Sequence, residues 1–252
     1  MQLKVSIITV VLNNVATIER TIQSVINQSY QNIEYIIIDA KSTDGTLDII
    51  KKYNSNIQLV LSESDNGFYD GLNKGIKLAT GDIIGSLNAD DRFASNFIIE
   101  KIVKEFDKDT DLDCIIGDIA FANHDDKISR YYSSSNFKIS LFKWGVMPPH
   151  PSFYCKKKLF HQLGFYDASF KIAGDFELML RFLWKHKIKF KYMPLLMVYM
   201  KKGGKSTSSI FTNLFIINPE VIKACKLNGL KSNMLKIAAK YILKLNQFIT
   251  LK

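Results

Sequence analysis

The chain has 252 residues, 47% of them hydrophobic and 23% charged, which suits one large folded domain with a sizeable core and excludes a disordered or fibrous protein. No apolar run approaches the roughly 20 residues that a bilayer-crossing helix needs, and the first one, Val5–Leu12, ends in Asn13 and Asn14, so it reads as a buried strand and not as a signal peptide. The net charge of +10 is uneven, because Leu178–Lys252 holds 15 Lys or Arg against the single acid Glu220; that stretch is +14, which leaves −4 for the residues before it. Such a basic tail suits nucleic acid, phosphates or an anionic membrane surface. The three cysteines, Cys114, Cys155 and Cys225, are odd in number and have neither CxxC pairing nor metal spacing, as expected of reduced thiols in a cytoplasmic protein.

In chain order, the β-branched run Val5–Leu12 predicts a strand, and Val15, Ile18, Ile22, Val25 and Ile26 recur at helical spacing. A second strand, Ile33–Ile38, ends at Asp39. The small polar residues Ser42–Gly45 then make a turn leading into a helix that runs to about Tyr53. Ile57–Leu61 is a third strand, Asp70–Ala79 a helix stopped at Thr80-Gly81, and Asp82–Leu87 a fourth strand running into Asn88-Ala89-Asp90-Asp91. After a helix over Asn96–Phe106 and a strand over Cys114–Ala122, Lys127–Lys143 reads as irregular. Phe153–Cys155 predicts a short strand, Lys156–Leu163 a helix, and Asp175–His186 a helix with Phe176, Leu180, Leu183 and Trp184 on its apolar face.

Continuous apolar strands alternating with helices imply an α/β fold, with a mainly parallel sheet covered on both faces. Ligands of such sheets bind at the carboxyl ends of the strands. Here Asn13-Asn14, Asp39, Ser62–Asp65 and Asn88–Asp91 all lie at those ends and converge on one crevice. The carboxylates of Asp90 and Asp91 suit a divalent cation with oxygen ligands that bridges a diphosphate, and taken alone they equally suit the solvated capping of a turn. Neither a GxxxxGK[ST] loop nor a strand-linked GxGxxG is present, which excludes the two commonest phosphate-binding alternatives.

Four segments in order carry a resemblance: Val5-Ser-Ile-Ile-Thr-Val with the Asn pair after it; Ile38-Asp-Ala-Lys-Ser-Thr-Asp-Gly-Thr46; Ser62-Glu-Ser-Asp-Asn-Gly-Phe-Tyr-Asp-Gly-Leu-Asn-Lys-Gly75 leading to Ala79-Thr-Gly-Asp82; and Leu87-Asn-Ala-Asp-Asp91. From Val5 to about Ser206 the sequence resembles the family 2 glycosyltransferases of the GT-A fold, particularly the small nonprocessive enzymes of bacterial polysaccharide clusters. The resemblance implies a Rossmann-like mixed, mainly parallel sheet flanked by helices. It implies a catalytic domain over 1–210, with a nucleotide-sugar half at 1–110 and an acceptor half at 111–210, followed by a basic helical extension at 211–252.

It also implies roles. Thr9 and Asp39, with Asn13 beside them, match positions that hold the nucleoside; Asp65 and Lys74 lie in the segment that closes over the nucleotide; and Asp90 matches the acidic ligand of Mg2+ or Mn2+. Asn88 replaces the first acid of the family's Asp-x-Asp, so Asp90 is expected to be the main metal ligand, helped by Asp91. Asp39-Ala40 likewise departs from the common Asp-Asp pair. In Phe165-Tyr-Asp-Ala-Ser-Phe170 and Ala173-Gly-Asp-Phe-Glu-Leu-Met-Leu-Arg181, Asp175 matches the base that deprotonates the acceptor hydroxyl. A place at a helix N-terminus equally suits an ordinary cap with a lowered pKa, and Glu177, two residues on, points elsewhere around the helix.

His150, in Met147-Pro-Pro-His-Pro-Ser152, is either a phosphate or sugar contact or a structural loop residue. Gly203, Gly204 and Lys205 in Lys201-Lys-Gly-Gly-Lys-Ser206 suit close approach to a pyrophosphate, or a basic loop without a ligand. The family pattern implies a nucleotide diphosphate sugar donor, uridine-linked, and inverting transfer of one sugar to a saccharide or lipid-linked acceptor in surface polysaccharide biosynthesis. The processive Gln-x-x-Arg-Trp signature is missing.

Beyond Phe211, Leu235, Ala238, Tyr241, Ile242, Leu245, Phe248 and Ile249 form a helical apolar stripe beside Lys236, Lys240 and Lys244. This suits a peripheral position on the inner face of the cell membrane, or packing on the catalytic domain or a second subunit. Two rival readings are a nucleotidyltransferase, against which Asp175 argues, and a nucleic-acid-binding protein, for which no recognisable motif is present.

Overall fold

A computed structural model of the chain describes residues 2–123, 127–201 and 213–239. Its first half is built from strand-helix units: β1 (Val5–Val11), α1 (Ile18–Ile26), β2 (Ile33–Asp39), α2 (Thr46–Lys51), β3 (Leu59–Ser62), α3 (Phe68–Leu78) and β4 (Ile83–Ser86). β1 pairs in parallel with β2 and with β4, and β2 in parallel with β3. All seven residues of β1 are buried, which is why its sequence lacks polar alternation: helices cover both faces.

The second half is differently wired. It comprises β5 (Arg92–Phe93), α4 (Ile98–Lys108), β6 (Cys114–Ala122), β7 (Ile128–Tyr132), β8 (Tyr154–Lys156), α5 (Lys157–Leu163), α6 (Gly174–Met179), β9 (Phe190–Lys201) and α7 (Asn218–Leu227). β8 is antiparallel to both β4 and β6, β6 runs parallel to β9, and at the periphery β5 is antiparallel to β9 and β7 to β6. The sheet order is β3-β2-β1-β4-β8-β6-β9-β5, with β7 on β6. The mixed α/β sheet matches expectation. The first four strands form its all-parallel part, joined by helical crossovers; beyond β4 the pairing is mixed, with β6 and β9 parallel and the other described pairs antiparallel.

The second half departs from the sequence reading in several elements, the short β5 among them. Part of Lys127–Lys143, expected to be irregular, forms β7 and a 3-10 turn at Ile139–Trp144. The twelve-residue β9 has no counterpart in the sequence reading. The expected Asp175–His186 helix is α-helical only to Met179 and continues as π-helix over Leu180–Lys185.

Two apolar layers sandwich the sheet. One packs α1 and α4 against β1, β2 and β6 through Ile18, Ile22, Ile99, Ile102 and Phe106. The other packs α3, α5, α6 and α7 on the opposite face through Leu72, Ile76, Phe160, Phe176 and Ala224. Phe176, Leu180 and Leu183 are buried, so the apolar face of that helix is core. Glycines permit the closest approach of helix to sheet: a Cβ on Gly75 of α3 would lie 2.5 Å from Cγ2 of Ile8.

The three cysteines are buried and unpaired with one another. Beyond residue 210, Val221, Ala224, Cys225, Leu230 and Ile237 join the second apolar layer, so this stretch packs on the sheet's helical layer. Leu235 is 83% exposed. The remainder of the expected stripe, Tyr241, Ile242, Leu245, Phe248 and Ile249 with Lys240 and Lys244, lies outside the described residues.

Candidate active site

The carboxyl ends of the parallel strands are tied together by short polar contacts. Asp39, the last residue of β2, is fully buried; it accepts from the Ser42 backbone N–H at 3.1 and 3.2 Å and from the Ser62 hydroxyl, at the end of β3, at 2.6 Å. Asn13, just past β1, adopts the left-handed region at φ 50° and accepts from the Thr43 N–H at 2.8 Å, while its own N–H donates to Ser42 Oγ at 2.8 Å. These contacts fix the first two strand-end loops against each other. Thr9 does not reach this rim. Alternation along β1 turns it into the first apolar layer, where it is fully buried and its hydroxyl lies 3.2 Å from Tyr35 Oη, so it supports the strand beneath the crevice and presents no group to it.

The segment between β3 and α3 folds on itself. Lys74 Nζ donates to the Ser64 carbonyl at 2.8 Å and pairs with Glu63 at 2.9 Å and Asp70 at 3.6 Å, and Asp65 accepts from the Gly67 N–H at 3.0 Å. Hydrogen bonding to Glu63 raises the Lys74 pKa, so this lysine is cationic and committed to its own loop. A Cβ on Gly71 would lie 2.7 Å from Val10 Cγ1 and 3.3 Å from Asp65 Oδ2, which places the Asp65 carboxylate over the end of β1.

Beyond β4, the Asn88–Asp91 turn is held from behind. Thr17 and Thr21 of the first helical segment reach the Ala89 carbonyl at 3.1 and 3.0 Å, and the Thr21 hydroxyl also lies 2.7 Å from the Asp91 carbonyl. Asp91 is buried, accepts from Asn88 Nδ2 at 2.7 Å and from the Lys201 N–H at 3.1 Å, and is pushed up to about 8 by burial and then by the Asp90 carboxylate beside it. It therefore acts as a brace joining the acidic turn to the end of β9. Asp90 is only partly buried.

The donor set can be tested for a metal on chemistry. Among the described residues no cluster of three or more His, Cys, Asp or Glu is poised as a complete cage. Asn88 gives its N–H to Asp91, so a metal at this turn would meet its amide oxygen, two residues before Asp90. Two hard oxygen donors at one strand end fit a Mg2+- or Mn2+-type ion that takes further oxygens from phosphates, as such ions commonly do. Gly203, Gly204 and Lys205, just beyond the end of β9, lie outside the described residues.

Asp175 sits at the second position of α6, whose N-cap is Ala173. Its Oδ1 accepts from the Phe176 N–H at 2.8 Å and lies 3.3 Å from Tyr69 Oη of α3, whose proton goes to the Ile172 carbonyl. A cap with a lowered pKa is not what the structure shows. Burial beneath Tyr69 outweighs these hydrogen bonds and raises the Asp175 carboxyl to about 6, with the Glu220 charge adding a smaller push in the same direction. Tyr69 stacks on Tyr166 with ring centroids 5.5 Å apart, and burial, then the charge of Asp175, keeps both phenols protonated. Because α3 starts from the carboxyl end of β3, the contact with Tyr69 brings Asp175 to the same edge of the sheet as Asp65.

Glu177 faces elsewhere, as its position implied. It forms a two-pronged pair with Arg181 at 3.0 and 3.0 Å and accepts from Asn228 Nδ2 at 3.1 Å. Arg181 in turn donates to the carbonyls of Leu163, Gly164 and Phe165, fixing the turn that leads to Tyr166. His150 is buried with Nε2 2.7 Å from Tyr166 Oη, and burial lowers it to about 4, so it is a neutral residue of the tyrosine cluster. An uncharged ring in that setting supplies no cationic contact to a phosphate.

Sequence reasoning missed Tyr69, Arg181 and Glu220 as parts of this site. Arg181 lay inside a quoted motif and Glu220 was visible as the lone acid of the basic tail. Tyr69 carried no signal beyond its place in the β3–α3 segment.

The family model for glycosyl transferase family 2 matches residues 6–174. Among curated relatives, a PGL/p-HBAD biosynthesis glycosyltransferase of Mycobacterium bovis is 25% identical over 209 residues, covering 81% of this chain and 80% of that protein. A putative glycosyltransferase EpsE of Bacillus subtilis is 38% identical over 92 residues, 35% of this chain and 33% of that protein. Among solved structures, S. aureus TarS 1-349 in complex with UDP-GlcNAc superposes with a TM-score of 0.69 at 18% identity, covering 99% of this chain and 76% of that one. The mannosyltransferase PcManGT from Pyrobaculum calidifontis in complex with GDP-Man and Mn2+ gives 0.67 at 15% identity, covering 100% and 71%. The chain spans 44% of the longer crystallised TarS.

Proposed function

The chain belongs to glycosyl transferase family 2, and on that premise we propose that it transfers one sugar, with inversion, from a uridine diphosphate sugar to a hydroxyl of a saccharide or lipid-linked acceptor, using Asp175 as general base. The observation that carries the reading is the placement of Asp175. It is a carboxyl raised to about 6, close enough to neutrality to act as a base at physiological pH, at the edge of the sheet where Asp39, Asp65 and Asp90 gather. TarS and PcManGT, in complexes with UDP-GlcNAc and with GDP-Man and Mn2+, lend the fold a nucleotide-sugar precedent without fixing the base or the metal for this chain.

In the proposed reaction the acceptor O–H gives its proton to a carboxylate oxygen of Asp175 while its oxygen bonds to the anomeric carbon. The bond from that carbon to the diphosphate breaks, and the nucleoside diphosphate leaves with the electron pair. A single displacement of this kind inverts the anomeric configuration. Asp39 and Asn13 hold the rim against which the nucleoside rests, and Asp65 covers it from the β3–α3 segment. Asp90 and Asn88 would hold Mg2+ or Mn2+, with Asp91 bracing them; when bound, the ion offsets the charge that develops on the departing diphosphate.

Exposed apolar residues beside lysines in the extension, Leu227 at 55% and Leu235 at 83% exposure with Lys226, Lys231 and Lys236, support a peripheral seat on an anionic membrane face, where lipid-linked acceptors of surface polysaccharides reside. The test is nucleoside diphosphate release from a panel of UDP- and GDP-sugars with Mg2+ or Mn2+, with and without lipid-linked acceptors, in wild type, Asp90→Ala and Asp175→Asn. Metal-dependent release from one donor, lost in both variants, is the expected result. Donors that neither react nor bind would end the nucleotide-sugar reading.

A further inference from the structure

The three residues before Gly174 carry backbone N–H groups that no strand or helix pairs, and all three point at one side chain. Glu220, in the first turn of α7, accepts from Lys171 N–H through Oε1 at 2.6 Å and from Ile172 and Ala173 N–H through Oε2 at 2.9 and 2.8 Å. It is the only acid among the 75 residues from Leu178 to Lys252. On the other side of the same segment the Ile172 carbonyl takes the Tyr69 hydroxyl proton. The peptide chain that delivers Asp175 is thus gripped by its amides from α7 and by a carbonyl from α3. α7 is itself seated against α6 by Val221, Ala224 and Cys225, all in the second apolar layer.

We propose that Glu220 is the positioning residue for the acceptor-side base, so that the segment beyond the family match at 6–174 is a working part of the active site. The inference rests on the reading of Asp175 as the base. A charged carboxylate is suited to this task because it accepts from several N–H donors at once, which no neutral side chain of its length does. The purpose of such a grip is geometric. A misplacement of about 1 Å in a reacting group costs on the order of 100-fold in rate, and a two-residue link from Ala173 to Asp175 transmits loop displacement almost undiminished.

The groups facing Asp175 are Tyr69 from α3, Tyr166 from the loop after α5, and Glu220 from α7; Glu177 on its own helix is turned away to Arg181. Of these only Glu220 is anionic. Removing its charge therefore moves the Asp175 pKa down, and freeing the amides loosens its position.

The experiment compares Glu220→Gln, Glu220→Asp and Asp175→Asn in the full chain. Turnover of whichever sugar nucleotide the wild type consumes is followed as nucleoside diphosphate release, and amide hydrogen exchange over 168–175 is followed without ligand. Glu220→Gln presents an NH2 where an acceptor stood, so exchange at 171–173 is expected to accelerate, kcat to fall about 10- to 100-fold, and the donor KM to stay within about two-fold. The acid limb of the pH profile moves to lower pH, and Glu220→Asp recovers part of the turnover because it keeps the carboxylate.

Unchanged exchange, or wild-type kcat and an unmoved acid limb in Glu220→Gln beside an inactive Asp175→Asn, would overturn the positioning role. Loss of turnover that disappears on assay well below the variant's melting temperature would reduce Glu220 to a stabilising contact and overturn it as well. Wild-type turnover in Asp175→Asn would instead remove the base reading itself, independently of what Glu220 does.

Discussion

If Asp175 is the base, the pH dependence of the reaction is set by burial. The carboxyl is raised from its ordinary value of 3.8 to about 6. A base works only when ionised, so with this pKa roughly nine-tenths of the enzyme is competent at pH 7 and about one-tenth at pH 5. The sign follows: kcat/KM rises with pH through about 6 and falls about tenfold per unit below it. The same shift bears on stability. The folded-state pKa lies above the unfolded one, so the folded protein binds the extra proton between pH 4 and 6; stability is greatest below about pH 4 on this account and declines as pH rises through 6.

At pH 7 the ionised carboxylate is therefore a burden on the fold of about 1–3 kcal/mol, the lower value allowing for its partial exposure. Asp175→Asn relieves it, and the variant is expected to melt at or above the wild-type temperature while losing the acid limb. Initial rates across pH 4.5–8.5, paired with thermal melts at pH 5 and 7.5, test both halves. An acid limb near pH 4 would refute the argument, because it would mean that the carboxylate is as well solvated as one on the surface.

Three further outcomes follow from packing. Arg181→Ala leaves the buried Glu177 with the Asn228 amide but no opposite charge and frees three carbonyls, so a loss of about 3–5 kcal/mol is expected in urea unfolding, against much less for Lys104→Ala in an exposed pair. Tyr154 is fully buried with a hydroxyl that finds no acceptor among the described residues, so Tyr154→Phe should be neutral or stabilising by up to about 1 kcal/mol in the same assay. Gly71→Ala forces a methyl into Val10 and towards Asp65; a destabilisation of about 1–3 kcal/mol and a several-fold weaker nucleotide Kd by calorimetry are expected.

The parallel half of the fold was legible because β1, β2 and β4 are so continuously apolar that only two-sided burial explains them, and because Asp39 and Asp90 follow two of these runs and Asp65 the shorter β3. β7 and β9 were not. β7 is half-exposed along its whole length, and β9 contains Pro194, carries lysines at both ends and pairs with β6 through two register shifts, so neither shows a clean period of two. Roles that depend on what a side chain meets across the fold were also hidden. Thr9 and Asp39 both end up fully buried, yet only Asp39 lies at the strand end, and His150 looked available until Tyr166 closed over it. The capping alternative for Asp175, with its lowered pKa, fails because the local rule of helix N-termini is outweighed by burial under Tyr69, a residue 106 positions away. Glu220 reaches 47 to 49 residues back to Lys171–Ala173, a contact with no local trace except the oddity of one acid in a basic stretch.

The most direct test of Asp175 as the base is acceptor-dependent single-turnover transfer from the cognate sugar nucleotide by wild type and by Asp175→Asn, each saturated with donor. A rate lower by about 100- to 10,000-fold in the variant, with donor affinity unchanged and the sugar delivered by the wild type with inverted anomeric configuration, is the expected result. Transfer by Asp175→Asn within a few-fold of wild type, or retention of configuration, would contradict the assignment of Asp175 as the base.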